Sequence, residues 1–181
     1  MPRYIAFLRA INVGGHTVKM DRLREIFESL GFANVETFIA SGNVVFETAA
    51  QDMVTLETMI AAGLQVALGY QVATFLRTPA ELARIAAHQA FPQSQLDAAQ
   101  ALNIAFLAAP LDAEAVRKLM ALKTAIDDFA THEREIYWLC LTKQSESTFS
   151  NAVLEKTLGR QSTLRGANTV QKMAAKYTTS D

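Results

Sequence analysis

Arg9 is the residue whose setting most needs a chemical explanation. It shares alternating position with Ile5, Phe7 and Ile11 in an apolar, strand-length run from Tyr4 to Asn12, so a strand would set its guanidinium among hydrophobic neighbours. Either the side chain reaches past the sheet edge to water or to a carboxylate, or its planar fork of donors is presented to an anionic ligand. Val13-Gly14-Gly15 then leads from that strand towards a helix, with Asn12, His16 and Lys19 around it. Glycines there let backbone amides approach a phosphate or carboxylate near a positive helix end, and they serve equally well as a plain tight turn. The spacing matches neither Gly-x-x-x-x-Gly-Lys nor Gly-x-Gly-x-x-Gly.

A second polar group, Ser41-Gly42-Asn43, separates two β-prone runs, Val35 to Ala40 and Val44 to Glu47. Taken alone it reads as a hairpin with a three-residue loop. The remaining candidates for chemistry are weaker. The three histidines, His16, His88 and His132, show no metal-ligand spacing, and only His16, beside the glycine turn, is a candidate acid or base. Asp127-Asp128 and Glu133 with Glu135 fall at strand boundaries or turn tips, where solvated surface is the expectation. The single cysteine, Cys140, stands in Tyr137-Trp138-Leu139-Cys140-Leu141 and reads as a small core residue on the same strand face as Trp138. No metal site, no cofactor motif and no Ser-His-Asp triad is supported, so the pattern names no reaction.

The elements that must position these residues follow from periodicity. Leu23, Ile26, Phe27 and Leu30 predict a helix that stops at Gly31, and Leu56, Ile60, Leu64 and Leu68 predict a second from about Asp52 that stops at Gly69. With a strand from Val72 to Arg77, the order is strand, helix, strand, strand, helix, strand, the ferredoxin-like unit. In that unit the ends of the first and second strands and the start of the third share one sheet edge, which brings Arg9, Asn12, Gly14, Gly15, Ser41 and Asn43 to a common rim. Thr78-Pro79-Ala80-Glu81 carries a capping box and a first-turn proline, predicting a short helix to about Ala87. His88 to Ala99 reads as a connector.

The order then restarts. Leu102 to Leu107 predicts a strand, Asp112 caps a helix to about Leu122, strands fall near Ala125 to Ala130 and Ile136 to Leu141, and Asn151 to Leu158 is helical up to Gly159. Ser162 to Arg165 predicts a last short strand and Asn168 to Lys176 a final helix. The expected fold is α+β, with two ferredoxin-like halves from a structural duplication: residues 1–87, a connector at 88–101, and 102–181 with the C-terminal helix.

Composition bounds what such a chain does. Its 181 residues are half hydrophobic and 19% charged, enough for a substantial core. Seventeen basic residues against eighteen acidic give a formal charge of −1, so no net field draws it to nucleic acid or anionic lipid. The start of the chain lacks the pattern of a secretory signal, and no apolar run approaches the ~20 residues that span a bilayer. A cytoplasmic, non-membrane location is the expectation, and one cysteine fits a reducing compartment.

Three segments carry a resemblance. Arg3-Tyr4-Ile5-Ala6-Phe7-Leu8-Arg9-Ala10-Ile11-Asn12-Val13-Gly14-Gly15, Thr37-Phe38-Ile39-Ala40-Ser41-Gly42-Asn43-Val44-Val45-Phe46 and Thr163-Leu164-Arg165-Gly166-Ala167-Asn168-Thr169-Val170 resemble the bacterial domain-of-unknown-function family numbered 1697. The resemblance implies two ferredoxin-like halves and no established activity. Ala10 stands where the family typically has glycine, and Gly166-Ala167 replace an Asn-Trp of its C-terminal motif. Within that motif Arg165 and Asn168 have two readings. Arg165 is a structural clasp that ties the terminal strand to carbonyls or carboxylates of the other half, or both residues extend to the site of Arg9 as a two-arginine clamp for an anion.

Two function classes compete. One is a small-molecule site, enzymatic or not, for a phosphorylated or carboxylated ligand at the rim of Arg9, Gly14, Gly15, Lys19, Ser41, Gly42 and Asn43. The other is a non-catalytic interaction or regulatory domain whose exposed edges engage another protein or a second copy, as a homodimer. RNA binding through the sheet is disfavoured, since neither the aromatic RNP pattern nor a basic excess is present.

Overall fold

The computed structural model describes residues 1–9, 11 and 17–178, apart from the side chains of Ala40 and Ser41. The chain forms two compact units, Met1–Ala83 together with Met173–Asp181, and Arg84–Lys172. The first contains β1 (Arg3–Leu8), α1 (Met20–Ser29), β2 (Ala33–Phe38), β3 (Ala40–Glu47), α2 (Met53–Leu68) and β4 (Thr74–Arg77), with α3 (Pro79–Ala87) following. Its sheet has the order β2-β3-β1-β4 and is antiparallel throughout. Leu23, Ile26 and Phe27 of α1 and Leu56, Ile60 and Leu64 of α2 form one core with Tyr4, Ala6 and Leu8 of β1 and Val44 and Phe46 of β3. The alternate residues Ile5, Phe7 and Val45 are buried as well, so both faces of the central strands are covered.

The second unit begins within α3 and takes in α4 (Gln93–Ala98), then repeats the order with β5 (Ala101–Phe106), α5 (Ala113–Met120), β6 (Asp127–His132), β7 (Glu135–Cys140), α6 (Asn151–Leu158) and β8 (Thr163–Gly166). Its sheet order, β6-β7-β5-β8, is that of the first with each strand replaced by its counterpart. The chain is thus an α+β protein of two similar ferredoxin-like halves. Trp138 and Cys140 sit in the second core with Ala105, Leu119, Phe129 and Leu154, both buried as their shared parity requires. A final helix, α7 (Ala167–Tyr177), follows β8 directly. Its last turn counts with the first unit, where Tyr177 donates to Glu36 at 2.9 Å.

Local chemistry explains the element ends. Thr78 and Glu81 form the reciprocal capping box that starts α3, with Thr78 N–H on Glu81 Oε2 at 2.8 Å and Glu81 N–H on Thr78 Oγ1 at 3.1 Å. Asp52, Asp112 and Ser150 cap α2, α5 and α6 through their side chains.

Several expectations are corrected. β1 ends at Leu8 rather than Asn12, because its partner β4 starts at Thr74; Arg9 follows in a bend, its N–H on the carbonyl of Ala73 at 2.9 Å. Ser41-Gly42-Asn43 is not the hairpin loop: it lies within β3, and the chain reverses at Ile39, between the paired Phe38 and Ala40. The register jumps from Thr37↔Val44 to Phe38↔Ala40, so the three residues are a bulge facing β2. The segment read as a connector contains α4, and a short 3-10 turn, Gln144–Glu146, was not signalled. Asp127 and Glu135, expected at the solvated surface, are buried.

Candidate functional site

The rim is built at the open end of the β1–β3 ladder. The ladder ends on the pair Phe7 with Asn43, two residues before Arg9 on one strand and two after Ser41 on the other. Asn43 is 1% exposed and its Nδ2 donates to the carbonyl of Phe38 at 3.1 Å, tying the bulge to the end of β2. Gly42 is half-buried beside it. Beyond β1 the backbone is held twice, by Arg9 N–H on Ala73 and by the carbonyl of Ile11, which accepts from Tyr70 Oη at 2.7 Å. Arg9 itself is half-buried. Asn12, Gly14, Gly15 and His16 lie outside the described residues.

Lys19 is exposed and is the N-cap of α1, with no capping bond from its side chain. The corresponding helix of the second half, α5, is closed by Asp112, whose Oδ1 accepts from Ala115 N–H at 2.7 Å. A lysine in place of a capping carboxylate leaves the start of α1 with a positive side chain added to a positive helix end. Ile39, next to the bulge, is 56% exposed and has φ of 63°. A β-branched residue in the left-handed region is strained.

Arg165 and Asn168 belong to the second unit and Arg9 to the first. Arg165 pairs with Ile104 of β5, and its Nη1 donates to Thr163 Oγ1 at 2.7 Å and to the Leu164 carbonyl at 2.8 Å. The residue keeps some exposed surface, yet burial of its guanidinium pulls the pKa down to about 10. Both of these bonds are made within β8, whereas the expected clasp reaches to the other half. Asn168 is exposed in the first turn of α7, and Ala167 is buried.

Two groupings had no signal in the sequence. A pocket of about 370 Å³ in the second unit is lined by α4, the segment before β6, β6 itself and the end of β7, with Lys123 and Asp128 among its polar groups. His88 and His132 stack with ring centroids 3.9 Å apart and planes within 13°. Both depend on contacts between residues distant in the chain, which no local spacing reveals. Among the described residues no group of three or more His, Cys, Asp or Glu is placed to hold a metal ion, and no helix is long and apolar enough to cross a membrane.

The sequence model of DUF1697, a protein of unknown function, matches residues 1–137. The chain belongs to the DUF1697 family. That match runs from β1 into β7 and stops short of Arg165 and Asn168. A conserved bacterial protein of Streptococcus pneumoniae, SP0830, has the same fold, with a TM-score of 0.80 at 21% identity over 99% of each chain. No curated protein matches the sequence. This DUF1697 chain and the streptococcal protein therefore share an architecture of two halves, including the C-terminal segment beyond the family match.

Proposed function

We propose that the first half binds a small anionic molecule, phosphorylated or carboxylated, at the rim between the segment leaving β1 and the Ser41-Gly42-Asn43 bulge. The observation that carries this reading is the end of the β1–β3 ladder at Phe7 and Asn43, which sets Arg9 and the bulge at one edge of one sheet. Three features support it. Arg9 supplies a guanidinium suited to a planar anion; Lys19 opens α1 with positive charge where its counterpart α5 is closed by Asp112; and Ile39 holds a strained turn beside the bulge. The Gly14-Gly15 turn and His16 complete the proposed site from sequence, with Ser41, Gly42 and Asn43 as polar partners. Arg165 and Asn168 are not needed for it, since Arg165 is engaged on its own strand.

A thermal-shift screen against nucleotides, sugar phosphates and carboxylic acids tests the proposal. A ligand at ~100 times its Kd adds about 2.7 kcal/mol of stability, a readily measured rise in Tm. Arg9→Ala and Lys19→Ala should each reduce that rise while leaving the unliganded Tm within a degree or two. A screen in which no anion raises Tm, or in which Arg9→Ala responds like the wild type, removes the reading.

A further inference from the structure

The pocket of the second unit shares no lining residue with the rim. Its apolar wall is Ile126, Leu139 and Leu141, and Leu141 is 37% exposed at its mouth. Its polar side is Asp128, Lys123 and Gln95. A cleft of about 370 Å³ with an apolar wall and a few convergent polar groups has the size and make-up of a small-molecule site.

The charge of the lining selects the ligand. Asp127 and Asp128 are negative and Lys123 is the one cation among the lining residues, which leaves an excess of one negative charge. Asp127 is spent inside the fold: it accepts from Trp138 Nε1 at 2.9 Å, from Thr124 Oγ1 at 2.8 Å and from Ser147 Oγ at 2.8 and 2.9 Å. It adds charge to the site without offering an oxygen. Asp128 differs, because its two oxygens are used unequally. Oδ1 accepts from Lys123 Nζ at 2.9 Å and from Phe129 N–H at 2.8 Å. Oδ2 accepts only a long contact of 3.4 Å from Gln95 Nε2. Burial works against this carboxylate's charge, and the bonds from Lys123 and the Phe129 amide more than offset it, holding its pKa below the usual range. It is therefore an anion at neutral pH with one oxygen to spare, beside an apolar wall.

We infer that this pocket binds a small organic cation, a primary ammonium carried on an apolar body, with the ammonium on Asp128 Oδ2 and the body against Ile126, Leu139 and Leu141. Lys123 stays on Oδ1 and orients the carboxylate. A carboxylate or phosphate ligand is disfavoured by the net negative lining, and a neutral molecule of the same shape lacks the charge-assisted bond.

The test uses the full chain and three probes of one shape: benzylammonium, benzyl alcohol and benzoate. In amide NMR titrations benzylammonium should shift Gln95, Asp128, Leu139 and Leu141 and bind at least about tenfold more tightly than benzyl alcohol, with benzoate weakest. Asp128→Asn should abolish the preference for the ammonium over the alcohol. Ala98→Leu, an exposed position on the pocket lining, fills the space without touching the charged pair and should weaken both probes. If Asp128→Asn fails to fold, the wild-type ranking and Ala98→Leu still decide. Equal affinity for alcohol and ammonium, shifts centred on another surface, or no binding of benzylammonium at millimolar concentration would each overturn the inference.

Discussion

At the scale of single residues, the groups that matter most here are those whose partners lie far along the chain. His88 follows α3 and His132 ends β6, and nothing in their spacing predicts that the rings stack. The cluster around them includes Tyr137, whose ring lies 5.2 Å from His88, with Glu133 and Arg84 paired at 3.8 Å. Burial holds the pKa of His88 below its ordinary value, the charge of His132 adds to the effect, and Glu133 opposes both. The unfolded chain restores a value near 6.5, so below that pH it takes up the proton before the folded protein does. Stability is then full above about pH 6.5 and falls as the pH drops from there through the folded pKa. Thermal melts between about pH 7.5 and 5.5 should show a steeper loss of Tm for wild type than for His88→Gln. Equal slopes in the two would leave the pair without that role. Asp127 makes the same point about legibility, because an aspartate at a strand start reads as solvated, whereas Trp138, Thr124 and Ser147 bury it with a full set of donors. By contrast, Cys140 and Trp138 were legible, since alternation alone fixes which face of β7 they take.

Elements were legible where their ends carry their own chemistry. The Thr78–Glu81 box, the Asp112 cap and the glycine stops of α2 and α6 stand where sequence puts them, because each is a bond or a backbone conformation made within a few residues. The Ser41-Gly42-Asn43 bulge was misread for the opposite reason. A polar, glycine-containing triplet fits a loop, but Asn43 pairs with Phe7 of β1, a strand distant in sequence, and β3 runs on through the triplet to Ala40, whose pairing with Phe38 of β2 sets the turn at Ile39. The matched helix ends allow a direct comparison of the halves. Gly69 ends α2 at φ 84° and Gly159 ends α6 at φ 65°, both in the left-handed region, where a Cβ is disfavoured. Neither would bring a new Cβ within 4 Å of other atoms, so alanine at either position costs backbone strain alone. Gly69→Ala and Gly159→Ala should each lower stability by about 1 kcal/mol in denaturant melts. A loss several times larger at either would mean that packing, not backbone strain, decides it.

At the scale of the whole chain, the halves share a strand order and differ in what each carries. Lys19 opens α1 where Asp112 closes α5, and the β2–β3 reversal turns on Ile39 where the β6–β7 reversal turns on Glu133, each with positive φ. The repeated order of elements in the sequence predicts two similar halves, and these differences lie in the fittings rather than in the strand order. The extent of the first unit was not legible, because it includes Met173–Asp181 from the other end of the chain. Glu36 of β2 receives Tyr177 Oη at 2.9 Å and Lys176 Nζ at 3.3 Å, and the Tyr177 ring meets Phe38 edge-on with centroids 5.7 Å apart. The bond from Tyr177 holds the Glu36 carboxyl below its usual pKa against a smaller effect of burial. β2 is an edge strand of its sheet, and edge strands are the first to fray unless something covers them. A chain ending at Lys172 removes Met173 and Tyr177, both buried, together with the two donors on Glu36. Amide exchange should then accelerate along Ala33–Phe38. Tyr177→Phe, which keeps the ring against Phe38 and deletes only the hydroxyl, should cost about 1 kcal/mol and raise exchange in β2 much less than the truncation does. Unchanged protection of β2 in the shortened chain would show that the sheet holds this strand unaided and that the C-terminal turn only rests upon it.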